Sequence, residues 1–275
     1  MKRLPLSSPH VHSEFCDGRS GARQMVQAAI SKGFVSLGIS SHAVQDFDPD
    51  YCVVPEREQD YIDTIRALQN EYEKDIRLWL GMERDMLSIA DRSRYEYVIG
   101  SVHYLPQGDH RVVVDGDAAR LKEDIERCYQ GSGAAFARHY YQLLGRYVRD
   151  YKPDIIGHFD LVMRHNQQHQ LFDPEQPEVM ATALEALEHC RQGCELMEVN
   201  TGALFRSGAR SPYPALPLLR HWRAIGGQVI LSSDCHEASG LDSGYEQGLQ
   251  LMREAGYEQM LMLGTGQQLF ELVSL

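Results

Sequence analysis

The hydrophobic pattern of the chain alternates between two spacings. Apolar residues recur at helical spacing in six segments, residues 22–32, 55–74, 134–150, 177–191, 214–224 and 245–255. Between them lie short apolar runs of strand character, at residues 34–39, 76–80, 97–99, 154–156, 196–199 and 229–231, with a first strand near 4–9 and a weaker last one near 260–263. Regular alternation of strands and helices predicts an α/β protein with a parallel sheet.

The same pattern favours a closed barrel over an open sheet. Seven or eight strand–helix units in 275 residues are typical of a β/α barrel. An open doubly wound sheet usually has a glycine-rich phosphate loop after its first strand, whereas this first strand is followed by HVHSEF. Because the chain contains neither a long linker nor an internal repeat, the sequence predicts one domain that spans residues 1–275.

Charge and composition narrow the possible partners. The formal net charge of -12 argues against nucleic acid, whose phosphates attract basic surfaces. No apolar run approaches the roughly 18 residues of a membrane helix, and no apolar core of a secretory signal follows the first basic residues. The six cysteines form no C-x-x-C pair. The sequence therefore predicts a cytoplasmic protein with reduced thiols.

Polar side chains stand just after each predicted strand, where the active sites of barrels assemble. Nine of them are candidate metal ligands: His10, His12, Asp17, His42, Glu83, His103, His158, Asp234 and His236. Residues i and i+2 of a strand point the same way, so the H-x-H and D-x-H pairs can each hold one ion. Imidazole nitrogen and carboxylate oxygen suit zinc, manganese or iron. One H-x-H motif is weak evidence, but the ordered set predicts a divalent metal centre.

The other histidines fall on helices or polar loops and are expected in surface or packing roles: His110, His139, His165, His169, His189 and His221. Cys16 and Cys235 stand beside candidate ligands. Their side chains are expected to alternate away from the ligands, and no catalytic role is predicted for them.

Several segments at these residues resemble the PHP (polymerase and histidinol phosphatase) superfamily, and in particular its bacterial histidinol-phosphatase branch. The matching segments are HVHSEFCDG, GISSHA, the long stretch from PEREQDY to LGME, IGSVHY, DIIGHFDL, EVNTGAL and LSSDCH. The resemblance implies a distorted (β/α)7 TIM-like barrel with two to three divalent metal ions. It assigns His10, His12, Glu83 and Asp234 to the first ion, and Glu83, His103 and His158 to the second. It assigns Asp17, His42 and His236 to the third.

The resemblance also implies phosphate chemistry. Three divalent ions facing Asp17, Glu83 and Asp234 would leave a positive site that binds a phosphate dianion and activates water to a hydroxide. Arg164 and Arg206, and less strongly Arg210, are the candidates for binding the phosphate. The candidate acid for the leaving group is Asp160, which could instead orient a ligand histidine. The acidic residues expected to meet a substrate ammonium group are Glu14, Asp46, Asp160 and Glu198.

The leading hypothesis from the sequence is hydrolysis of L-histidinol phosphate in histidine biosynthesis, with Glu83 and Asp234 central to catalysis. The alternative within the enzyme class is a phosphoesterase for another small phosphate monoester, such as a nucleotide or a sugar phosphate. The third hypothesis is a non-catalytic metal-binding module. The candidate phosphate-binding arginines argue against it. An amidohydrolase shares H-x-H after the first strand, but such enzymes usually carry a bridging lysine, and no lysine stands at a predicted strand end here.

Overall fold

The computed structural model describes residues 4–166, 170–206 and 211–275. Within these ranges the strands are β1 (Leu6–Ser8), β2 (Phe34–Ile39), β3 (Arg77–Asp85), β4 (Tyr97–Ser101), β5 (Tyr104–Gln107), β6 (His110–Val113), β7 (Ile155–Ile156), β8 (Leu196–Asn200), β9 (Gln228–Ser232), β10 (Gln259–Leu263) and β11 (Phe270–Ser274). The main sheet has the spatial order β1-β2-β3-β4-β7-β8-β9-β10-β11. All the predicted strands therefore exist, and they are neighbours in the order in which they occur along the chain.

Seven of these strands form a barrel. From β1 to β9 every neighbouring pair in the main sheet is parallel. A parallel bridge between Val11 and Cys235, with a 2.9 Å hydrogen bond from the His12 amide to the Cys235 carbonyl, joins the chain after β1 to the chain after β9. Beyond β9, β10 pairs in parallel with β9, and β11 pairs antiparallel with β10. The fold is the distorted (β/α)7 TIM-like barrel that the sequence predicted.

Helices cover the outside of the barrel. In the described chain they are α1 (Ala22–Lys32), α2 (Glu58–Glu71), α3 (Ala118–Tyr129), α4 (Gly133–Tyr151), α5 (Pro177–Gly193), α6 (Gly202–Arg206), α7 (Leu216–Ala224) and α8 (Tyr245–Glu254). The six predicted helices are confirmed, with ends shifted by a few residues. None of the described helices has both the length and the apolar character needed to cross a membrane.

Five of these strands and helices were missing from the sequence prediction, one of them the short helix α6. The strands β5 and β6 form an antiparallel hairpin between β4 and α3, and β11 is the edge of the main sheet. Helix α3 begins after Asp117, whose side chain accepts hydrogen bonds from the amides of Ala119 and Arg120. This N-cap and the apolar spacing of Leu121 and Ile125 were visible signals that the prediction did not use.

One tyrosine fills part of the interior of the barrel. Tyr97 is buried, and its hydroxyl donates to the Pro9 carbonyl across the barrel. A Cβ atom at Gly38 or Gly81 would collide with the Tyr97 ring or hydroxyl. Glycine at these two positions thus leaves the room that the tyrosine occupies.

Candidate active site

The nine predicted ligands come together at the carboxyl end of the barrel. Their ligand atoms form three overlapping groups, and within each group the atoms lie within 4.8 Å of one another. The groups are His12–Asp17–His42–His236, His10–His12–Asp234 and His42–Glu83–His103. His158 joins the cluster through Glu83, at 2.8 Å from Nε2 to Oε1. The strands explain this convergence, because the carboxyl ends of parallel barrel strands all meet on one face.

Glu83 lies at the centre of the cluster. Its carboxylate is 2.9 Å from His42 Nδ1 and 3.1 Å from His10 Nε2, and it is 1% exposed. Burial would raise the pKa of this carboxyl, but the charges of His10 and His42 hold the pKa well below its usual range. Both contacts are made by Oε2, which accepts no hydrogen bond of good geometry from the described residues.

These atoms fit a metal cluster. The Nε2 atoms of His10 and His12 face each other at 3.1 Å, and Asp17 Oδ2 is 3.2 Å from His236 Nε2. Like Glu83 Oε2, the buried Asp17 Oδ1 accepts no hydrogen bond of good geometry within the described chain. Buried acceptor oxygens without donors are rare in proteins. Converging imidazole nitrogens and acceptor oxygens therefore suit divalent cations.

Asp234 holds a backbone conformation that an L-residue rarely adopts. Its φ angle is 46°, in the left-handed region. Asp234 Oδ1 lies 3.1 Å from His12 Nε2, while Oδ2 accepts from Arg206 at 2.6 Å and from the Asn200 amide at 3.1 Å. Burial would raise the pKa of this carboxyl, but Arg206 and His10 lower it well below its usual range. Backbone strain of this kind occurs where a functional site fixes a side chain.

Two buried carboxylates orient the ligand histidines from outside the cluster. Glu198 Oε2 is 2.9 Å from His10 Nδ1, and Glu198 Oε1 accepts from the His158 amide at 2.6 Å. Asp85 accepts from the His103 amide at 2.6 Å. Sequence reasoning missed Asp85, although its i+2 spacing from Glu83 on a strand was a usable signal. The Glu198 contact with the His10 ring is of the kind that fixes the tautomer and direction of a ligating imidazole. The two amide contacts hold the backbone of His103 and His158.

The acidic residues predicted to meet a substrate ammonium group are not among the described residues that line the cavity over the cluster. Glu198 is fully buried behind His10. Glu14 accepts from the Ala22 amide at 2.6 Å at the start of α1. Neither Glu14 nor Asp46 is among the described residues that line the cavity over the cluster. Proximity to a ligand in the sequence thus did not bring these three side chains to the cavity wall, because it does not determine the direction of a side chain.

A cavity of about 710 Å³ opens over the metal-ligand cluster. Both predicted arginines, Arg164 and Arg206, line it, and Arg210 lies outside the described residues. Its described lining includes four further acidic residues, Asp48, Asp50, Asp115 and Glu237, and the aromatic residues Tyr51, Tyr104 and Phe205. The wall of the cavity therefore carries both arginines and carboxylates.

Asp160 is placed behind the wall of this cavity. It is 1% exposed and is not one of the described lining residues. Its Oδ2 accepts from the Ala215 amide at 2.9 Å, and Oδ1 has no described hydrogen-bond donor. Burial raises the pKa of this carboxyl to about 6, an effect that the Ala215 amide partly offsets. The acid role predicted for Asp160 stays a prediction.

The side chain of Cys16 does not turn away from the candidate ligands, as the sequence had predicted it would. Its sulfur lies 3.4 Å from His12 Nδ1, so the side chain contacts a ligand instead of turning away from it. The alternation argument failed because residues 14–17 form a turn and not a strand. Burial raises the pKa of the Cys16 thiol to about 11, which keeps it protonated. Cys235 donates to the Glu237 carbonyl at 2.7 Å. All six cysteines are free thiols.

The comparisons with known proteins agree with this geometry. The family model of the PHP domain matches residues 8–202. The chain is 25% identical to a Schizosaccharomyces pombe protein named "Probable histidinol-phosphatase", over 96% of this chain and 90% of that protein. It is 26% identical to the histidinol-phosphatase of Bacillus subtilis, over 88% of this chain and 97% of that protein.

A solved structure has the same fold. The histidinol phosphate phosphatase of Lactococcus lactis, complexed with zinc, L-histidinol and phosphate, matches with a TM-score of 0.66 at 21% identity, over 94% of this chain and 96% of that chain. At this identity the likeness shows that the two proteins have the same fold.

Proposed function

The chain belongs to the PHP domain family, and from this premise we propose that it is a metal-dependent phosphatase that hydrolyses L-histidinol phosphate to L-histidinol and phosphate. The observation that carries the proposal is the cluster of histidines and carboxylates around Glu83, at the base of a cavity whose described lining includes Arg164 and Arg206. The Schizosaccharomyces pombe and Bacillus subtilis relatives are both named as histidinol-phosphatases, and they match over most of their length. A monoester phosphatase needs a cationic centre for the phosphate and a separate pocket for the alcohol, and this cavity offers both.

We also propose that two to three divalent ions of zinc, manganese or iron occupy the cluster. His10, His12, Glu83 and Asp234 would hold the first, Glu83, His103 and His158 the second, and Asp17, His42 and His236 the third. When bound, such ions supply a Lewis acid that activates water and polarises the phosphoryl group. The zinc in the Lactococcus lactis relative supports zinc as a candidate.

The two arginines would bind the phosphate. Arg206 is half-buried and contacts Asp234 and His236, at 2.6 Å and 2.8 Å, so its guanidinium is held at the edge of the cluster. Burial opposes the charge, but Asp234 and Asp115 raise the pKa of Arg206 above its usual value and keep it cationic. Arg164 approaches the same cavity from the loop after β7. Planar guanidinium groups match the oxygens of a phosphate.

The acidic wall would bind the other end of the substrate. Histidinol phosphate carries an ammonium group, and the described lining of the cavity includes Asp48, Asp50 and Asp115. Tyr104 donates to Asp48 at 2.7 Å, which fixes one of these carboxylates. Carboxylates at this position would attract an amine and repel a second phosphate. The acidic wall thus favours an amino-alcohol phosphate over nucleotides or sugar bisphosphates.

Phosphate release from a panel of esters tests the proposed function. The purified protein with zinc, manganese or iron would be assayed on histidinol phosphate, its analogue without the amino group, nucleotides and sugar phosphates. We expect kcat/KM for histidinol phosphate to exceed that for the analogue by about tenfold, because a carboxylate loses its charged partner. A clear preference for nucleotides or sugar phosphates would support the alternative phosphoesterase, and turnover of none of them would support a metal-binding module.

A further inference from the structure

The hairpin β5–β6 forms one wall of the cavity and is anchored at its base. The Val114 amide donates to the His103 carbonyl at 2.8 Å, so the two ends of the hairpin meet at a candidate metal ligand. Asp115 and Gly116 follow directly and line the cavity. The position of Asp115 therefore depends on where the hairpin lies relative to the neighbouring loops.

The loop after β2 is attached to one side of the hairpin. Arg111 stacks over the Phe47 ring at 4.1 Å, and Tyr104 contacts the same ring edge-on at 5.0 Å between centroids. Tyr104 also donates to Asp48. These contacts combine a cation–π pair, an aromatic pair and a charge-assisted hydrogen bond. This side of the cavity is held by several interactions.

The loop after β7 reaches the other side through His165. The Nε2 atom of His165 is 2.8 Å from the Gly116 carbonyl oxygen, at a geometry in which the ring N–H donates. Arg164, the residue before it, lines the cavity and is preceded only by a single 3-10 turn, Leu161–Met163. On its other side Asn166 is buried and accepts from the amides of Leu171 and Phe172. The Asn166 contacts anchor the loop behind the wall, while the His165 contact connects it to the hairpin.

We propose that His165 is a positioning residue that fixes Arg164 relative to Asp115. The inference rests on the proposed function, in which Arg164 binds the phosphate and Asp115 the ammonium group. One hydrogen bond joins the residue after Arg164 to the residue after Asp115, so it sets the distance between the two ends of the substrate pocket. The sequence pattern had placed His165 among the surface histidines, and its neighbours in space give it this further role.

Kinetics with p-nitrophenyl phosphate as reporter and inorganic phosphate as competing inhibitor test the role of His165. These assays use the metal-loaded protein and do not depend on the natural substrate. His165→Ala should raise the inhibition constant for inorganic phosphate about threefold to tenfold, the worth of one hydrogen bond, with kcat and metal content close to wild type. His165→Gln, whose amide can donate at the same position, should restore most of the loss.

A matched control is His221→Ala. His221 makes an exposed 3.0 Å contact with Glu188 between α7 and α5, away from the described cavity lining, and its loss should leave the phosphate constant unchanged. The ratio of kcat/KM for histidinol phosphate to kcat/KM for its amine-free analogue should be smaller in His165→Ala than in wild type. The proposal is overturned if His165→Ala has the wild-type inhibition constant for inorganic phosphate. It is also overturned if His165→Gln binds phosphate no more tightly than His165→Ala. If the wild type ignores histidinol phosphate while the phosphate constants shift as described, the proposed function fails and the positioning role stands.

Discussion

At the scale of single residues, the candidate centre depends on Glu83. Its carboxylate lies within 3.4 Å of a nitrogen of five histidines, and Oε2 accepts no hydrogen bond of good geometry from the described residues. A buried carboxylate with this many imidazole neighbours is stabilised in its ionised form. The candidate ligands could be predicted because each follows a strand signal, whereas the contacts of their outer partners depend on the folded barrel. Asp85 and Glu198 act through backbone amides and ring nitrogens that only the folded barrel brings near.

Asp160 offers a prediction that separates catalysis from positioning. If Asp160 only holds the Ala215 amide, Asp160→Asn retains an acceptor oxygen and should keep kcat close to wild type. Asp160→Ala leaves a buried amide without a partner and should lower the free energy of unfolding by about 1–3 kcal/mol. Steady-state kinetics and urea unfolding of both variants measure these effects. A fall of about a hundredfold or more in kcat for the asparagine variant would instead identify Asp160 as the general acid.

The raised pKa of Asp160 predicts a pH dependence of stability. The value in the folded protein is about 6, above the roughly 3.9 of an aspartate in an unfolded chain. The folded state therefore binds this proton more tightly, and the stabilising contribution is present below pH 4 and is lost as the pH rises through about 6. Asp160→Asn removes this dependence. In metal-free protein, the stability of the variant relative to wild type should rise from pH 4 to pH 7, and a constant difference would contradict the shift.

At the scale of elements, the long regular segments were predictable and the short irregular ones were not. The strands after which ligands stand are apolar runs between helices, so their pattern identifies them. The hairpin residues YLPQ and HRVV are four-residue strands interrupted by a proline and charged groups, which gives them little periodicity. Yet this hairpin contributes Tyr104 and Val113 to the cavity wall, and Asp115 follows it directly. The residues of the cavity wall were therefore harder to predict than the candidate metal ligands.

The packing of Tyr97 against two glycines predicts a coupled effect on stability. Gly38→Ala places a methyl group against the Tyr97 hydroxyl and should cost about 1–3 kcal/mol as overpacking. Tyr97→Phe removes that hydroxyl together with its hydrogen bond to Pro9. The double variant should be less destabilised than the sum of the two single variants. Urea unfolding of the four proteins measures this difference, and simple additivity would contradict the close contact.

At the scale of the whole molecule, the cluster concentrates negative charge that bound cations would balance. Asp17, Glu83 and Asp234 share one end of the barrel, in a protein whose net charge is already -12. A ligand that binds only the folded state stabilises it by mass action. The barrel closes directly beside these residues, at the bridge between Val11 and Cys235, so metal binding and barrel closure should be linked.

Metal removal should therefore lower thermal stability as well as activity. Treatment with a chelator is expected to reduce the Tm by several degrees, and return of zinc, manganese or iron should restore it. The matched comparison is Glu83→Gln, in which two of the proposed ions lose their shared carboxylate and the same treatment should change the Tm less. An equal change in Tm for both proteins would show that the stabilising ions bind elsewhere.

The central claim is that the Glu83 cluster holds the metal ions that hydrolyse histidinol phosphate. The most direct measurement is phosphate release from histidinol phosphate, with metal content determined on the same samples, for wild type and Glu83→Gln. The account predicts that the folded variant loses bound metal and that its turnover falls by orders of magnitude. A variant with full metal content and near-normal turnover would contradict it.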